Sequence, residues 1–198
     1  MRPRPAGERA LLVEVEELET VHRLHAALRA LDPPGVVELV PGYRTVLVVA
    51  DPARAGVLDE LAAALPDLEL PPADEVAGEP VEIPVSYDGE DLPEVASLTG
   101  LEAEEVVRRH TAPEYTVAFL GFSPGFPYLV GLAPALEVPR RDTPRTSIPA
   151  GSVGLAGGQT GIYPTASPGG WQLIGRTEVT LFDPDRHPPA LLGPGSRL

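Results

Sequence analysis

Residues 143–177, TPRTSIPAGSVGLAGGQTGIYPTASPGGWQLIGRT, constrain this chain more than any other stretch. The segment is dense in glycine, holds the only tryptophan, Trp171, and contains no acidic residue. Glycine at this density marks backbone at positive φ or in close approach to other groups, and it argues against a helix. Ile148, Val153, Leu155, Ile162, Trp171, Leu173 and Ile174 demand burial, so the segment is not a disordered linker either. What remains is a set of short strands and tight turns shaping a concave surface.

The preceding residues agree. From Glu114, EYTVAFLGFSPGFPYLVGL alternates Tyr115, Val117 and Phe119 and then breaks at Gly and Pro. Short apolar segments separated by such breaks predict a barrel or sandwich. Upstream, the pattern is strand 10–15, helix 17–31, strands 36–40 and 45–50, a second helix from Pro52 capped by Asp51, and a strand VEIPVSY at 81–87. This β-α-β-β-α-β order is that of a ferredoxin-like sandwich. Two short helices within 91–110 connect the halves. The expected fold class is α+β, with domains 1–85 and 86–198. The tail HPPALLGPGSRL is expected to lie along the surface.

Charge and composition exclude several functions. The net charge of −14 lies wholly in the first 110 of the 198 residues, which argues against a nucleic-acid partner. The helix pair at 91–110 resembles a helix-turn-helix. Its second helix, however, begins Glu102-Ala103-Glu104-Glu105 and would point carboxylates at phosphates. Cysteine is absent, which excludes disulfides and thiol catalysis. Lysine is absent too, which excludes a P-loop lysine, a Schiff base and a biotin-bearing side chain. No apolar run approaches the ~20 residues of a membrane span. The N-terminus lacks the apolar core of a signal peptide, so a cytoplasmic location is expected. His22 and His25 read as surface histidines, with no HExxH and no third ligand nearby, and no metal site is expected.

Three motifs bear on chemistry. Gly121-Phe122-Ser123-Pro124-Gly125 matches GxSxG, but Pro124 has no N–H for the oxyanion hole, so a hydrolase elbow is rejected. The loop reads instead as rigid and aromatic, with Phe122, Phe126 and Tyr128 packing together or forming a pocket wall. Gly151–Gly161 fits either an anion-binding nest or a tight turn. Arg145 and Arg176 stand near the ends of the glycine-rich stretch, where guanidinium forks suit carboxylate or phosphate. Gln159, Thr160 and Tyr163 add neutral hydrogen-bonding groups. Together these describe a site for a small polar anion. His110 ends a helix, where the dipole favours a protonated imidazole, and is either a plain cap or part of the site.

FLGFSPGFPYL (119–129) and residues 143–177, extended upstream by HTAPEY (110–115), resemble the allophanate hydrolase subunit 1 family. The resemblance covers nearly the whole chain. It implies a ferredoxin-like N-terminal domain followed by a cyclophilin-like β-barrel related to carboxyltransferase subdomains C and D. It implies the B subunit of an ATP-dependent 5-oxoprolinase, inactive alone. The partners would be a homologue of allophanate hydrolase subunit 2, which is the oxoprolinase C subunit, and the oxoprolinase A subunit. ATP, with Mg2+, would be shared with those partners, and no biotin would sit on this chain. The family also includes an inhibitor of a sporulation histidine kinase and components of urea-processing enzymes, which are the alternative functions. Carried over by motif, His110 and Arg145 would be catalytic. Gly125, Tyr128, Ser152, Gln159, Thr160, Gly170, Trp171 and Arg176 would bind substrate or ATP.

Overall fold

The structure, a computed structural model, describes residues 1–198 and divides into two compact units, Met1–Gly78 and Glu79–Leu198. Both combine helices and sheet, so the chain is α+β. No helix is long and apolar enough to cross a membrane.

In the first unit the elements are β1 (Arg2–Pro5), β2 (Ala10–Glu14), α1 (Leu18–Leu31), β3 (Val36–Pro41), β4 (Thr45–Ala50), α2 (Val57–Ala64) and the short α3 (Ala73–Ala77). The sheet is antiparallel in the order β1-β2-β4-β3. Alternate residues Leu11, Val13, Val46 and Val48 are buried with Val21, Leu24 and Leu28 of α1 and Leu61 of α2, as the strand and helix periods require. Three expectations fail here. The edge position beside β2 belongs to Arg2–Pro5, not to VEIPVSY. The second helix starts at Val57, because the Asp51 carboxylate accepts from the Ala53 N–H at 2.8 Å and closes a turn rather than capping a helix. His22 is buried, not on the surface.

The second unit begins with the extended segment 81–87, which exchanges two 2.8 Å backbone hydrogen bonds between Ser86 and Arg176. Helices α4 (Leu92–Thr99) and α5 (Ala103–Thr111) follow. The strands are β5 (Thr116–Leu120), β6 (Pro127–Val130), β7 (Arg145–Ile148), β8 (Ser152–Ala156), β9 (Gln159–Ile162), β10 (Ser167–Gly169) and β11 (Gln172–Arg176). Five form a sheet in the order β11-β8-β9-β6-β5, and β7 pairs with β10 in a separate ribbon. The tail is part of this framework, contrary to expectation. Leu198 and Tyr115 exchange backbone hydrogen bonds of 2.9 and 3.0 Å, and Gly195 donates to Val117 at 2.8 Å.

Register sorts the two faces. Val117, Leu129, Thr160, Leu155 and Gln172 are direct partners in adjacent strands and so share one face. That face packs with Val95 of α4 and Val106 of α5. The opposite face carries Phe126, Tyr163, Trp171 and Leu173, joined by Ile148 of β7. Glycine is needed there, since a Cβ on Gly161 would sit 3.0 Å from the Trp171 ring and 2.9 Å from the Pro127 carbonyl oxygen. The glycine density of 143–177 thus lets an indole pack close against a sheet.

Candidate functional site

His110 ends α5 and points at the row of residues just described. Its Nε2 lies 2.9 Å from Thr160 Oγ1, and its Nδ1 lies 2.7 Å from the Tyr87 hydroxyl. The Tyr115 hydroxyl donates to the His110 carbonyl at 2.7 Å, and Thr160 Oγ1 donates to the Gly154 carbonyl at 3.1 Å. His110 is only 6% exposed. Burial pulls its pKa from 6.5 to about 4, so the imidazole is neutral at physiological pH, and the protonated form expected from the helix dipole is not the resting state. Burial also raises the Tyr87 hydroxyl to about 12. These groups border a cavity of about 310 Å³ whose other walls include Val81, Ile83, Leu129 and Val153, with Glu82 and Thr111 also lining it.

A second cleft, of about 610 Å³, is lined by Arg140, Arg141, Asp142 and Thr143, by Glu90 and Asp91 at the start of α4, and by Gln172. Its centre is Asp91, 3% exposed. One oxygen of this carboxylate accepts from Arg141 Nη1 at 2.7 Å and Arg145 Nη2 at 2.8 Å, and the other accepts from the Leu173 N–H at 2.7 Å. Glu90 pairs with Arg145 Nε at 2.8 Å. The hydrogen bond that Arg145 donates to Asp91 outweighs burial and keeps its guanidinium firmly charged. Arg141 Nε, Arg145 Nη1 and Gln172 Oε1 are buried without a hydrogen-bond partner. Asp91 therefore anchors both guanidinium groups, and each has a buried nitrogen without a partner.

The residues expected to act together divide among several places. His110 and Thr160 meet, and Arg145 lines neither cavity but pairs with Asp91 and Glu90 at the second cleft's wall. The two cavities have no lining residue in common. Arg176 is on the surface, paired with Asp88 at 3.0 Å. Gly170 accepts from the Arg141 N–H at 2.8 Å but lines neither cavity. Ser152 is buried in β8, and the Gln159 side-chain nitrogen is buried without a partner. Gly125, Tyr128 and Trp171 line neither cavity. Trp171 meets the edges of Phe126 and Tyr128 at 5.4 and 5.8 Å, and Gly125 packs on Phe182. Gly151–Gly161 is a tight turn and not a nest. Gly157, at φ 58, and Gly158 join β8 to β9, and the Gly157 N–H is spent on the Val138 carbonyl at 2.7 Å. Ser123 of the GxSxG match has a buried hydroxyl, and β6 follows it, not a helix. Tyr87 and Asp91 escaped sequence reasoning. The acidic run Asp88–Asp91, opposite an acid-free stretch bearing arginines, was the available signal.

Comparison with known proteins extends these observations. The chain is 45% identical over 196 residues to the 5-oxoprolinase B subunit of Escherichia coli O157:H7, covering 96% of this chain and 90% of that protein. It is 43% identical over 189 residues to the 5-oxoprolinase B subunit of Bacillus subtilis strain 168, covering 88% and 79%. Among solved structures, TTHA0988 superposes with a TM-score of 0.83 at 44% identity, over 96% of this chain and 39% of that longer one. Residues 1–192 match the family model of the carboxyltransferase domain, subdomain C and D. The match takes in the helices, the sheet and both clefts, and the chain belongs to that carboxyltransferase-domain family.

Proposed function

We propose that this chain is the B subunit of an ATP-dependent 5-oxoprolinase, which converts 5-oxo-L-proline, ATP and water to L-glutamate, ADP and phosphate. The observation that carries the proposal is the 45% identity to the Escherichia coli relative over nearly the full length of both chains. The reading places the chain in the cytoplasm. It is inactive alone and works with the A and C subunits, the second of which is the homologue of allophanate hydrolase subunit 2. It also takes residues 1–85 as a ferredoxin-like domain and 86–198 as a helical connector with a cyclophilin-like barrel. In support, α1 and α2 pack on an antiparallel sheet, and a five-stranded sheet is covered on both faces.

The lactam carbonyl is stabilised by amide resonance, and phosphorylation of its oxygen creates a leaving group before water attacks. The arginine cleft is the part of this chain that fits an anion. Asp91 orients Arg141 and Arg145, and Arg140 and Arg141 line the cleft together with Glu90, Asp91, Glu94 and Asp142. The Gly157 N–H of the glycine hairpin is spent on the Val138 carbonyl, which favours the arginines for phosphate contacts from this chain. No group of three His, Asp or Glu that could hold a metal ion is present. Mg2+ accompanying ATP would be held by the phosphates and by partner oxygens. His110 enters as a neutral residue that holds Tyr87 in place, not as an acid.

The test is glutamate formation from 5-oxoproline and ATP with this chain alone, with the C subunit added, and with the A and C subunits together. Activity only in the full mixture is expected. Arg145→Ala in that mixture should raise KM or abolish turnover. Folded, associated subunits with no activity would overturn the proposal.

A further inference from the structure

Phe122 is held against two local preferences at once. It stands in the loop 121–126 between β5 and β6 at φ 64, in the left-handed region. Every other left-handed position of the second unit is a glycine, which has no Cβ to clash there. Asp32 is the one other exception in the chain, and it ends α1 with a short polar side chain that tolerates such a cap. Burial does not offset the strain at Phe122, because the residue is 60% exposed, more than any other large apolar residue of the second unit. The loop is nevertheless tightly tied. Ser123 N–H donates to the Gly121 carbonyl at 2.7 Å, Phe126 N–H to the Ser123 carbonyl at 3.1 Å, and Gly121 N–H to the Phe126 carbonyl at 3.2 Å. Phe126 and Tyr163 meet the Phe122 ring edge-on at 5.5 and 6.4 Å and fix its direction. Around it, residues 115–136 hold no charged side chain.

A pre-oriented, exposed aromatic in an uncharged stretch suits the centre of a protein–protein interface. Charged groups are costly to desolvate there, and a ring already fixed in place loses little entropy on docking. We propose that Phe122 is a docking anchor whose ring enters an apolar socket on a partner protein, the C subunit of the oxoprolinase reading. The identity of the partner rests on that reading, and the anchor rests on Phe122 itself. A net charge of −14 disfavours the other use of an exposed ring, insertion into an anionic membrane.

The test is calorimetric titration of the C subunit with the unaltered full chain and with Phe122→Gly. Glycine accepts the left-handed backbone, so the variant removes the ring and keeps the turn. Its Tm should stay within about 4 °C of the unaltered chain, and its Kd for the C subunit should weaken at least about tenfold. Phe122→Asn, which also tolerates this backbone, should behave alike and serves if the glycine variant does not fold. Unchanged affinity, or no association between the unaltered proteins, would overturn the inference. A larger drop in Tm in both variants would also overturn it, since the ring would then serve the packing with Phe126 and Tyr163. So would binding to anionic phospholipid vesicles that either variant abolishes while association with the C subunit persists. Glutamate formation in the full mixture is scored separately. Weakened association without glutamate formation removes the oxoprolinase reading and keeps the anchor, and glutamate formation with unchanged association does the reverse.

Discussion

His110 Nε2 and Thr160 Oγ1 lie 2.9 Å apart although 50 residues separate them in sequence, and this bond ties the end of α5 to the middle of the five-stranded sheet. The 2.7 Å bond from the Tyr87 hydroxyl to His110 Nδ1 depends on the ring staying neutral, because a protonated Nδ1 cannot accept. His110 should titrate with a pKa near 4, measured by NMR of its ring carbons. Between pH 6.5 and 4 the unfolded chain takes up this proton and the folded chain does not, so stability falls as pH drops through that window. The loss reaches on the order of 3 kcal/mol near pH 4. His25 is also pulled to about 4, by burial first and then by Arg29 and His22, and acts in the same direction. Comparing urea unfolding of the unaltered chain and His110→Gln cancels that share. The variant should show a shallower decline, and parallel curves would contradict the argument.

Thr160→Val keeps the shape of the residue but removes the acceptor for His110 Nε2–H. A buried donor left without a partner costs about 1–3 kcal/mol, and Thr160→Ser, which keeps the hydroxyl, should recover most of it. Denaturant midpoints of the two variants check this.

Asp91 and Asp88 both pair with an arginine, but burial separates their energetics. Asp91→Ala would leave Arg145 and Arg141 partly buried without their shared carboxylate and free the Leu173 N–H, a loss of about 3 kcal/mol. Arg176→Ala breaks a pair whose arginine side chain is 62% exposed, and should change stability by less than about 0.5 kcal/mol. Similar losses in calorimetry for the two variants would refute the distinction.

Gly151→Ala should be among the most damaging single changes in the second unit. Gly151 is at φ 81, and an added Cβ would collide with the Thr177 carbonyl oxygen, part of a backbone pairing in which Thr177 donates to Gly151 at 2.9 Å. Strain and collision together should cost on the order of 3 kcal/mol or more. Thermal unfolding measures this directly, and a shift within about a degree of the unaltered chain would refute it.

Much of this protein could be read from local patterns. The 3.6-residue spacing of Val21, Leu24 and Leu28 marked α1, and short runs of apolar, β-branched residues bounded by turn residues marked β2 and β4, although only the structure shows their alternate burial. The motifs in 119–129 and 143–177 pointed to the family, to which residues 1–192 belong. Local pattern failed where a segment's partner is distant. Segment 81–87 alternates like a strand, and nothing in its seven residues says that it pairs with Arg176 and not with β2.

The α+β class, the family, the absence of lysine and cysteine chemistry, and the need for glycine in the last third of the chain were all legible without coordinates. The family rests on the resemblance of the motifs in 119–129 and 143–177, and the rest on composition, periodicity or short spacing, none of which depends on where the chain returns to itself. Three-dimensional packing was needed to establish that Arg145 is held by Asp91, that Arg176 is a surface residue, and that His110 is neutral and bonded to Tyr87 and Thr160. Charge state and pairing depend on burial and on which side chains meet from positions 23, 50 and 54 apart in sequence, and those distances close only when the sheet forms.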